Sequence, residues 1–147
     1  MIRLENVTKS YSKSDVLAVD HINLHVKKGE VFGFIGPNGA GKTTTIKMLT
    51  GILPPTEGRV LIDGVDIQTD PVAAKQKMGY APDSSEVYDR LTGIEYLNFI
   101  ADIYGVSAAD RKARMEKYLN MFEIEKAVGS QIKTFSHGMK QKLTLTG

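Results

Sequence analysis

The chain has 147 residues, of which 41% are apolar and 24% are charged, an ordinary globular composition of about one domain's length. A net charge of +2 without a long basic run gives no reason to expect nucleic acid or an anionic membrane as the main partner. The absence of cysteine excludes disulfides and thiolate metal sites, and allows a reducing compartment without proving one. Because no stretch approaches the ~20 apolar residues that span a bilayer, and charges interrupt the N-terminus early, we expect a soluble chain without a signal peptide.

The first third of the chain carries strand patterns. Apolar residues alternate with polar ones at Ile2 and Leu4, and again at Ile22, Leu24 and Val26. This period of two predicts two half-buried strands, which we expect to be antiparallel edge strands. The apolar run at residues 31–35 predicts a buried strand that follows a turn.

A glycine-rich motif follows that run. Residues 36–44 read G-P-N-G-A-G-K-T-T, which fits the pattern G-x-x-x-x-G-K-T between a strand and a helix. Glycines let the backbone turn so that successive N–H groups face one concavity, and the helix that begins near Lys42 adds its positive end. The motif therefore predicts a phosphate-binding loop. The alternative is a glycine-rich turn followed by an accidental Lys-Thr pair, which the strand and helix context disfavours.

The side chains of the motif have distinct predicted roles. Lys42 should extend a positive charge to the β- and γ-phosphates of a nucleotide, and the Thr43 hydroxyl should ligate Mg²⁺. Thr44 can hydrogen-bond the phosphate chain. The predicted phosphate-binding residues are Gly36, Pro37, Asn38, Gly39, Ala40, Gly41, Lys42, Thr43 and Thr44.

Turn and cap residues divide the next segment. Gly51 is placed to end the helix after the phosphate loop, and Asp63-Gly64 predicts the turn of a β-hairpin. Asp70 followed by proline predicts the start of a short helix that runs to about Lys77. Residues 78–81 predict a short buried strand.

From residue 84 to residue 131 the pattern is helical. Thr92 and Glu95 form a capping box, and Gly105 is placed to close the helix that they open. Ser107 with Asp110 predicts the start of a second helix. The predicted apolar faces, which we interpret as core rather than as a cofactor site, are Ile94, Leu97, Ile100 and Tyr104 on the first helix and Met115, Tyr118, Leu119 and Phe122 on the second.

A phosphate loop alone would fit kinases, GTPases and many other ATPases, so a second motif is needed to distinguish them. This motif is T-F-S-H-G-M-K-Q at residues 134–141. Together with the phosphate loop and the helical insertion between them, it resembles the ATP-binding cassette (ABC) family, and the similarity covers essentially the whole chain. Residues 135–139 stand at the family's signature motif, L-S-G-G-Q, of which Ser136 and Gly138 match. The resemblance implies that these two residues contact the γ-phosphate of ATP held by the opposite subunit. The alternative for Ser136 is an ordinary helix cap.

The resemblance assigns further positions. Tyr11 falls where the family stacks an aromatic residue on adenine, although it could simply pack on a sheet edge. Asp83 stands at the Q-loop, where glutamine or glutamate helps to hold the metal and the attacking water. Aspartate is one methylene shorter, so a bridging water is favoured over direct coordination. Lys42 and Asp83 are thus the candidate catalytic residues, and His137, which replaces a family glycine, is interpreted as a tolerated surface side chain.

The resemblance implies an α/β fold, a partial P-loop NTPase core with an antiparallel β subdomain and a helical insertion subdomain. We expect the β subdomain and P-loop core at residues 1–83, the helical subdomain at 84–135 and the start of the signature helix at 136–147. The Walker B strand and the switch histidine are expected beyond Gly147, so we interpret the chain as an N-terminal fragment that is inactive by itself and exposes a sheet edge through which it self-associates.

The function that the resemblance implies is an ATP-hydrolysing subunit of an ABC transporter, and the methionine of the signature favours an exporter. Its cofactors would be ATP and Mg²⁺. Its partners would be a second ATP-binding subunit and a membrane permease on the cytoplasmic face of the cell membrane, without nucleic acid. Two alternatives stay open, an ABC-type ATPase without a transporter and a nucleotide-responsive binding module that never hydrolyses.

Overall fold

The computed structural model describes residues 1–11, 16–82 and 88–147. The chain forms two compact units, Met1–Tyr80 and Ala81–Gly147. The elements of the first unit are β1 (Ile2–Ser10), β2 (Leu17–Val26), α1 (Lys42–Leu49), β3 (Glu57–Ile62), β4 (Val65–Asp66) and α2 (Pro71–Lys75). The elements of the second unit are α3 (Gly93–Ile103), α4 (Ala108–Met121), a short 3-10 helix (Ile132–Thr134) and α5 (His137–Thr146).

The sheet of the first unit has the strand order β2-β1-β3-β4, with every neighbouring pair antiparallel. Ile2 pairs with Val26 on one side and with Ile62 on the other, so β1 lies inside the sheet. The two N-terminal strands are confirmed, but the expectation that both are edge strands is wrong for β1. Its second partner, β3, comes from about fifty residues further along the chain, where the local pattern of β1 carries no information.

The predicted hairpin, the start of α2 and the end of α1 are confirmed, while α2 ends at Lys75, two residues before the predicted end. Asp63 and Gly64 both have positive φ, 48° and 82°, as a two-residue hairpin turn between β3 and β4 requires. The Asp70 carboxylate accepts the Ala73 N–H at 3.0 Å and caps α2. At the end of α1, the N–H groups of Gly51 and Ile52 donate to carbonyls of the last helical turn, a Schellman arrangement.

The core of the first unit lies between one face of the sheet and its two helices. Met48 of α1 and Val60 of β3 are both 0% exposed. The alternation of each strand directs every second side chain to this face. The buried cluster consists of Leu4, Val7, Val19, Met48, Val60, Ile62, Ile67 and Ala74.

Two predicted buried strands are not strands in the structure. Residues 31–35 form no regular element, and Val31 and Ile35 are 99% and 97% exposed. Residues 78–81 likewise form no strand, and Tyr80 is exposed. An apolar segment becomes a strand only when a neighbouring strand satisfies its N–H and C=O groups, and none of the described strands pairs with either segment.

The second unit is helical, as predicted. Thr92 and Glu95 form the capping box of α3, and the Ser107 hydroxyl accepts the Asp110 N–H at the start of α4. Gly105, at a φ of 64°, follows the last turn of α3. The buried cluster of this unit consists of Tyr96, Leu97, Leu119, Ile124, Val128, Ile132, Phe135 and Leu143.

The apolar face predicted for α3 is partly wrong. Leu97 is buried and Ile100 packs against the cluster, but Ile94 and Tyr104 are exposed by 36% and 47%. The buried face is centred instead on Tyr96, Leu97 and Ala101. On α4 the core interpretation is confirmed for three of the four residues, since Leu119 is buried and Met115 and Phe122 pack against the same cluster. Tyr118 is half-buried and is not among the residues that form or contact this cluster.

Candidate nucleotide-binding site

The phosphate loop leads directly into the N-terminus of α1. Lys42, Thr43 and Thr44 form the first turn, whose N–H groups have no acceptor within the helix. The first intrahelical bond runs from the Thr45 N–H to the Gly41 carbonyl at 2.8 Å, and the Thr45 hydroxyl, on a residue 1% exposed, donates to the same oxygen at 2.9 Å. A helix start that follows a glycine-rich turn is a favourable place for an anion.

Gly41 is a residue at which the loop lies close to β2. It has a φ of 83°, and a Cβ at this position would lie 2.5 Å from the carbonyl oxygen of Ala18 on β2. A non-glycine residue would therefore be both conformationally strained and too close to backbone. This close approach places the start of α1 against β2.

Lys42 lies back over the loop that precedes it. Its Nζ donates to the carbonyl oxygens of Gly36 and Pro37 at 2.6 and 2.7 Å. These two bonds hold the ammonium group over the loop, next to the helix start that follows it. The positive charge and the N–H groups of the first turn of α1 are thus concentrated in one small region, which suits a chain of phosphates.

Tyr11 lies next to this helix start. Its hydroxyl is 3.0 Å from the Thr44 hydroxyl, while the residue as a whole is 61% exposed. The Lys9 Nζ lies 5.9 Å from the centroid of the Tyr11 ring. The structure therefore brings together the residue predicted to stack on adenine and a residue predicted to contact phosphate, and the ring keeps an accessible surface.

The predicted metal ligands are only partly within the described residues. Thr43 is exposed in the first turn of α1. Asp83 lies outside the described residues, so its proposed role stays a prediction. Among residues 1–11, 16–82 and 88–147, no group of three or more His, Cys, Asp or Glu residues is arranged to hold a metal ion.

The signature residues lie at the start of α5 in the second unit. The Ser136 hydroxyl accepts the Met139 N–H at 3.3 Å, which makes Ser136 the N-cap of α5, as predicted. A Cβ on Gly138 would have no described atom within 4 Å. His137 is exposed. The contacts of Ser136 and Gly138 with nucleotide stay predictions.

Two contacts hold α5 within its unit. The Lys140 Nζ donates to the Asp89 carboxylate at 2.6 Å, and the Lys140 side chain is only 20% exposed. One turn further along the helix, Tyr96 of α3 hydrogen-bonds Thr144, and burial raises the pKa of the Tyr96 phenol despite that bond. The phenol therefore stays neutral at physiological pH. Both contacts fix the orientation of the helix that Ser136 begins.

Sequence reasoning missed some residues around the phosphate loop. Lys9 precedes Tyr11 by two residues, and the strand period of two could have indicated that their side chains share a face. The approach of Ala18 to Gly41 joins segments more than twenty residues apart, and no local pattern predicts it.

The sequence matches a known family profile and known proteins over most of its length. The profile of the ABC transporter family matches residues 19–147. The chain is 37% identical over 145 residues to the linearmycin resistance ATP-binding protein LnrL of Bacillus subtilis, covering 99% of this chain and 46% of that protein. It is 34% identical to the probable multidrug ABC transporter ATP-binding protein YbhF of Escherichia coli, covering 99% of this chain and 25% of that protein. The chain thus spans less than half the length of these two relatives.

Solved structures agree with these relatives. An ATP-binding subunit of an ABC transporter superposes with a TM-score of 0.93 at 31% identity, over 99% of this chain and 60% of that one. A dimeric ATP-binding cassette in a post-hydrolysis state, bound to ADP and Pi, gives a TM-score of 0.85 at 26% identity over 99% of this chain and 68% of that one. These matches confirm the α/β fold as that of a partial P-loop NTPase. The chain belongs to the ABC transporter family of ATP-binding proteins.

Proposed function

We propose that the intact protein is the ATP-binding and ATP-hydrolysing subunit that powers an ABC transporter. The arrangement of Lys42 over the phosphate loop, beside the exposed Thr43 at the start of α1, carries this proposal. Lys42 would pair with the β- and γ-phosphates of ATP, and Thr43 would supply one oxygen to the Mg²⁺ that accompanies them. Asp83 would contribute to the metal and water through a bridging water.

Each ATP would be shared between two such subunits. One subunit would contribute residues 36–44 and Tyr11, and the other would contribute Ser136 and Gly138 at the start of α5. The space around Gly138 supports this arrangement, because no contact among the described residues requires a glycine there. A dimeric cassette with bound ADP and Pi among the similar structures supports it as well.

Export is the proposed direction of transport. It is supported by the descriptions of two relatives, a linearmycin resistance protein and a probable multidrug transporter protein. No helix among the described residues is long and apolar enough to cross a membrane. The name of the second relative, an ATP-binding protein of an ABC transporter, supports docking of the intact protein on a permease at the cytoplasmic face of the cell membrane.

The 147-residue chain alone would bind nucleotide weakly and turn it over slowly, if at all. Its sequence has no apolar run that ends in Asp-Glu, the pattern expected of the strand that supplies a metal-organising aspartate and a general-base glutamate. Phosphoryl transfer needs a positioned water in addition to bound phosphate and metal.

Titration of the intact protein with MgATP tests the phosphate-loop assignment. Lys42→Ala should weaken binding by at least about tenfold, because a hydrogen bond to a charged group contributes about 1.5–3 kcal/mol. Lys47→Ala is the matched control, since Lys47 lies in the last turn of the same helix and is exposed. Undiminished affinity of Lys42→Ala for MgATP would refute the assignment.

Two further measurements separate the proposed function from its alternatives. Co-purification of the intact protein with a membrane permease would separate a transporter subunit from an ABC-type ATPase without a transporter. Steady-state ATP turnover with that permease would separate an ATPase from a module that only binds nucleotide. Absence of both would contradict the proposal while leaving the phosphate-loop assignment intact.

A further inference from the structure

The backbone just before Tyr11 is held by the loop that follows α1. The Thr56 N–H donates to the Thr8 carbonyl at 2.8 Å, and the Thr56 hydroxyl accepts the Ser10 N–H at 3.1 Å. The same hydroxyl lies 3.4 Å from the Ser10 carbonyl oxygen, to which it donates. In addition, the Lys9 Nζ donates to the Pro54 carbonyl at 2.8 Å. Three successive residues of β1 therefore bond to the segment at 54–56.

The other end of Tyr11 is held by α1 itself, through the 3.0 Å contact of its hydroxyl with Thr44. The segment at 54–56 is closely connected to the same helix. The Ile52 and Leu53 N–H groups both donate to the Lys47 carbonyl, and two prolines then fix φ before Thr56. The backbone before Tyr11 and its hydroxyl are thus both connected to α1, the helix that also carries Lys42.

We infer that Thr56 is a positioning residue that sets the orientation of the Tyr11 ring and thereby the contribution of adenine to nucleotide affinity. The inference rests on the proposed nucleotide-binding function and adds to it a residue that does not touch the nucleotide. An exposed aromatic side chain loses rotamer freedom when a base stacks on it, and a ring that is already oriented loses less. Thr56 restricts the backbone at Ser10 and the Thr44 contact restricts the phenol.

Thr56→Val tests this role because it keeps the shape of the side chain and removes the hydroxyl. Valine removes the bond from the Ser10 N–H and the longer, weaker bond to the Ser10 carbonyl. Their loss lowers the population of the oriented ring, so the affinity of the intact protein for MgATP should fall about three- to tenfold. The affinity for magnesium tripolyphosphate, which has no base, should not change. Thr56→Ser, which keeps the hydroxyl, should bind MgATP as the parent protein does.

Two further variants make the test specific. Thr69→Val is the matched control, because Thr69 is exposed and its hydroxyl also bonds a backbone carbonyl, that of Asp66 at 3.3 Å. It should bind MgATP normally. In a Tyr11→Ala background, Thr56→Val should have no further effect on ATP affinity, since Thr56 acts only through the ring. A merely structural role for Thr56 would instead weaken ATP and tripolyphosphate binding equally and in both backgrounds.

Calorimetric titration of these variants distinguishes failure of the inference from failure of the proposed function. Normal ATP affinity in Thr56→Val, with weakened affinity in Tyr11→Ala, would overturn the inference and leave the adenine contact intact. Normal ATP affinity in Tyr11→Ala would overturn the adenine contact and the inference together. The phosphate-loop assignment would then be tested separately, by the MgATP affinity of Lys42→Ala.

Discussion

Gly41→Ala should destabilise the first unit more than the same substitution at Gly39. Both glycines have a left-handed φ, 83° at Gly41 and 85° at Gly39, so alanine is strained at either position by about 1–2 kcal/mol. Of the two, only Gly41 places the new Cβ against backbone, 2.5 Å from the Ala18 carbonyl oxygen, whereas at Gly39 no atom of the described residues lies within 4 Å. Forcing a methyl group into a packed contact adds about 1–3 kcal/mol. The two variants should therefore differ in free energy of unfolding by about 1–3 kcal/mol.

The measurement is urea unfolding of both variants without nucleotide, followed by circular dichroism. Nucleotide is omitted because both glycines belong to the phosphate loop, and a difference in ligand affinity would otherwise add to the difference in stability. A lower midpoint for Gly41→Ala at an unchanged slope is the expected result. Equal midpoints would refute the reasoning, because they would mean that the contact between the phosphate loop and β2 does not restrict the loop.

Two other predictions concern the helical unit and the exposed apolar segment. Hydrogen bonds from the Thr92 N–H and hydroxyl hold the pKa of Glu95 below its ordinary value of 4.5. The folding stability that these bonds add is therefore fully present above pH 4.5 and is lost as the pH falls through the lower pKa of the folded state. Thr92→Ala removes the N-cap bond, which contributes about 1 kcal/mol, and the hydroxyl bond to the Glu95 carboxylate, so its cost in unfolding free energy should be largest at neutral pH and should decrease as the pH is lowered below 4.5. An equal loss in urea titrations at neutral and acidic pH would contradict this. Separately, the 147-residue chain should self-associate through Val31 and Ile35, which are almost fully exposed. Lysine at both positions should shift light scattering toward monomer while Val72→Lys should not, and a monodisperse parent chain would refute the idea.

The features that sequence predicted well are local ones. The capping box of Thr92 and Glu95, the Asp63-Gly64 turn and the Ser136 cap each depend on residues within four positions of one another. Their geometry follows from backbone conformation and short side-chain reach, so a single sequence suffices to recognise them. The start of α1 at Lys42, directly after a glycine-rich turn, belongs to the same class, whereas phosphate binding there stays a prediction.

The features that sequence missed depend on distant segments. Residues 31–35 have the composition of a buried strand, but strand formation depends on a neighbour to pair with, which composition does not specify. The interior position of β1 likewise depends on β3. The contact of Tyr11 with Thr44 could not be derived from either segment alone, although the family resemblance placed both near a nucleotide.

The proposed role of Ser136 across a dimer can be tested by changing its charge and keeping its cap. Asparagine and aspartate are both good N-caps and nearly equal in size, so either should replace the hydroxyl that accepts the Met139 N–H and leave α5 stable. Only aspartate would bring a negative charge to the γ-phosphate of the ATP held by the opposite subunit, where like charges repel. In the intact protein, Ser136→Asp should therefore dimerise far less than Ser136→Asn with a non-hydrolysable ATP analogue, as measured by light scattering. The two variants should unfold at similar urea concentrations. Equal dimerisation by both would mean that Ser136 caps its helix and has no part in holding nucleotide between subunits.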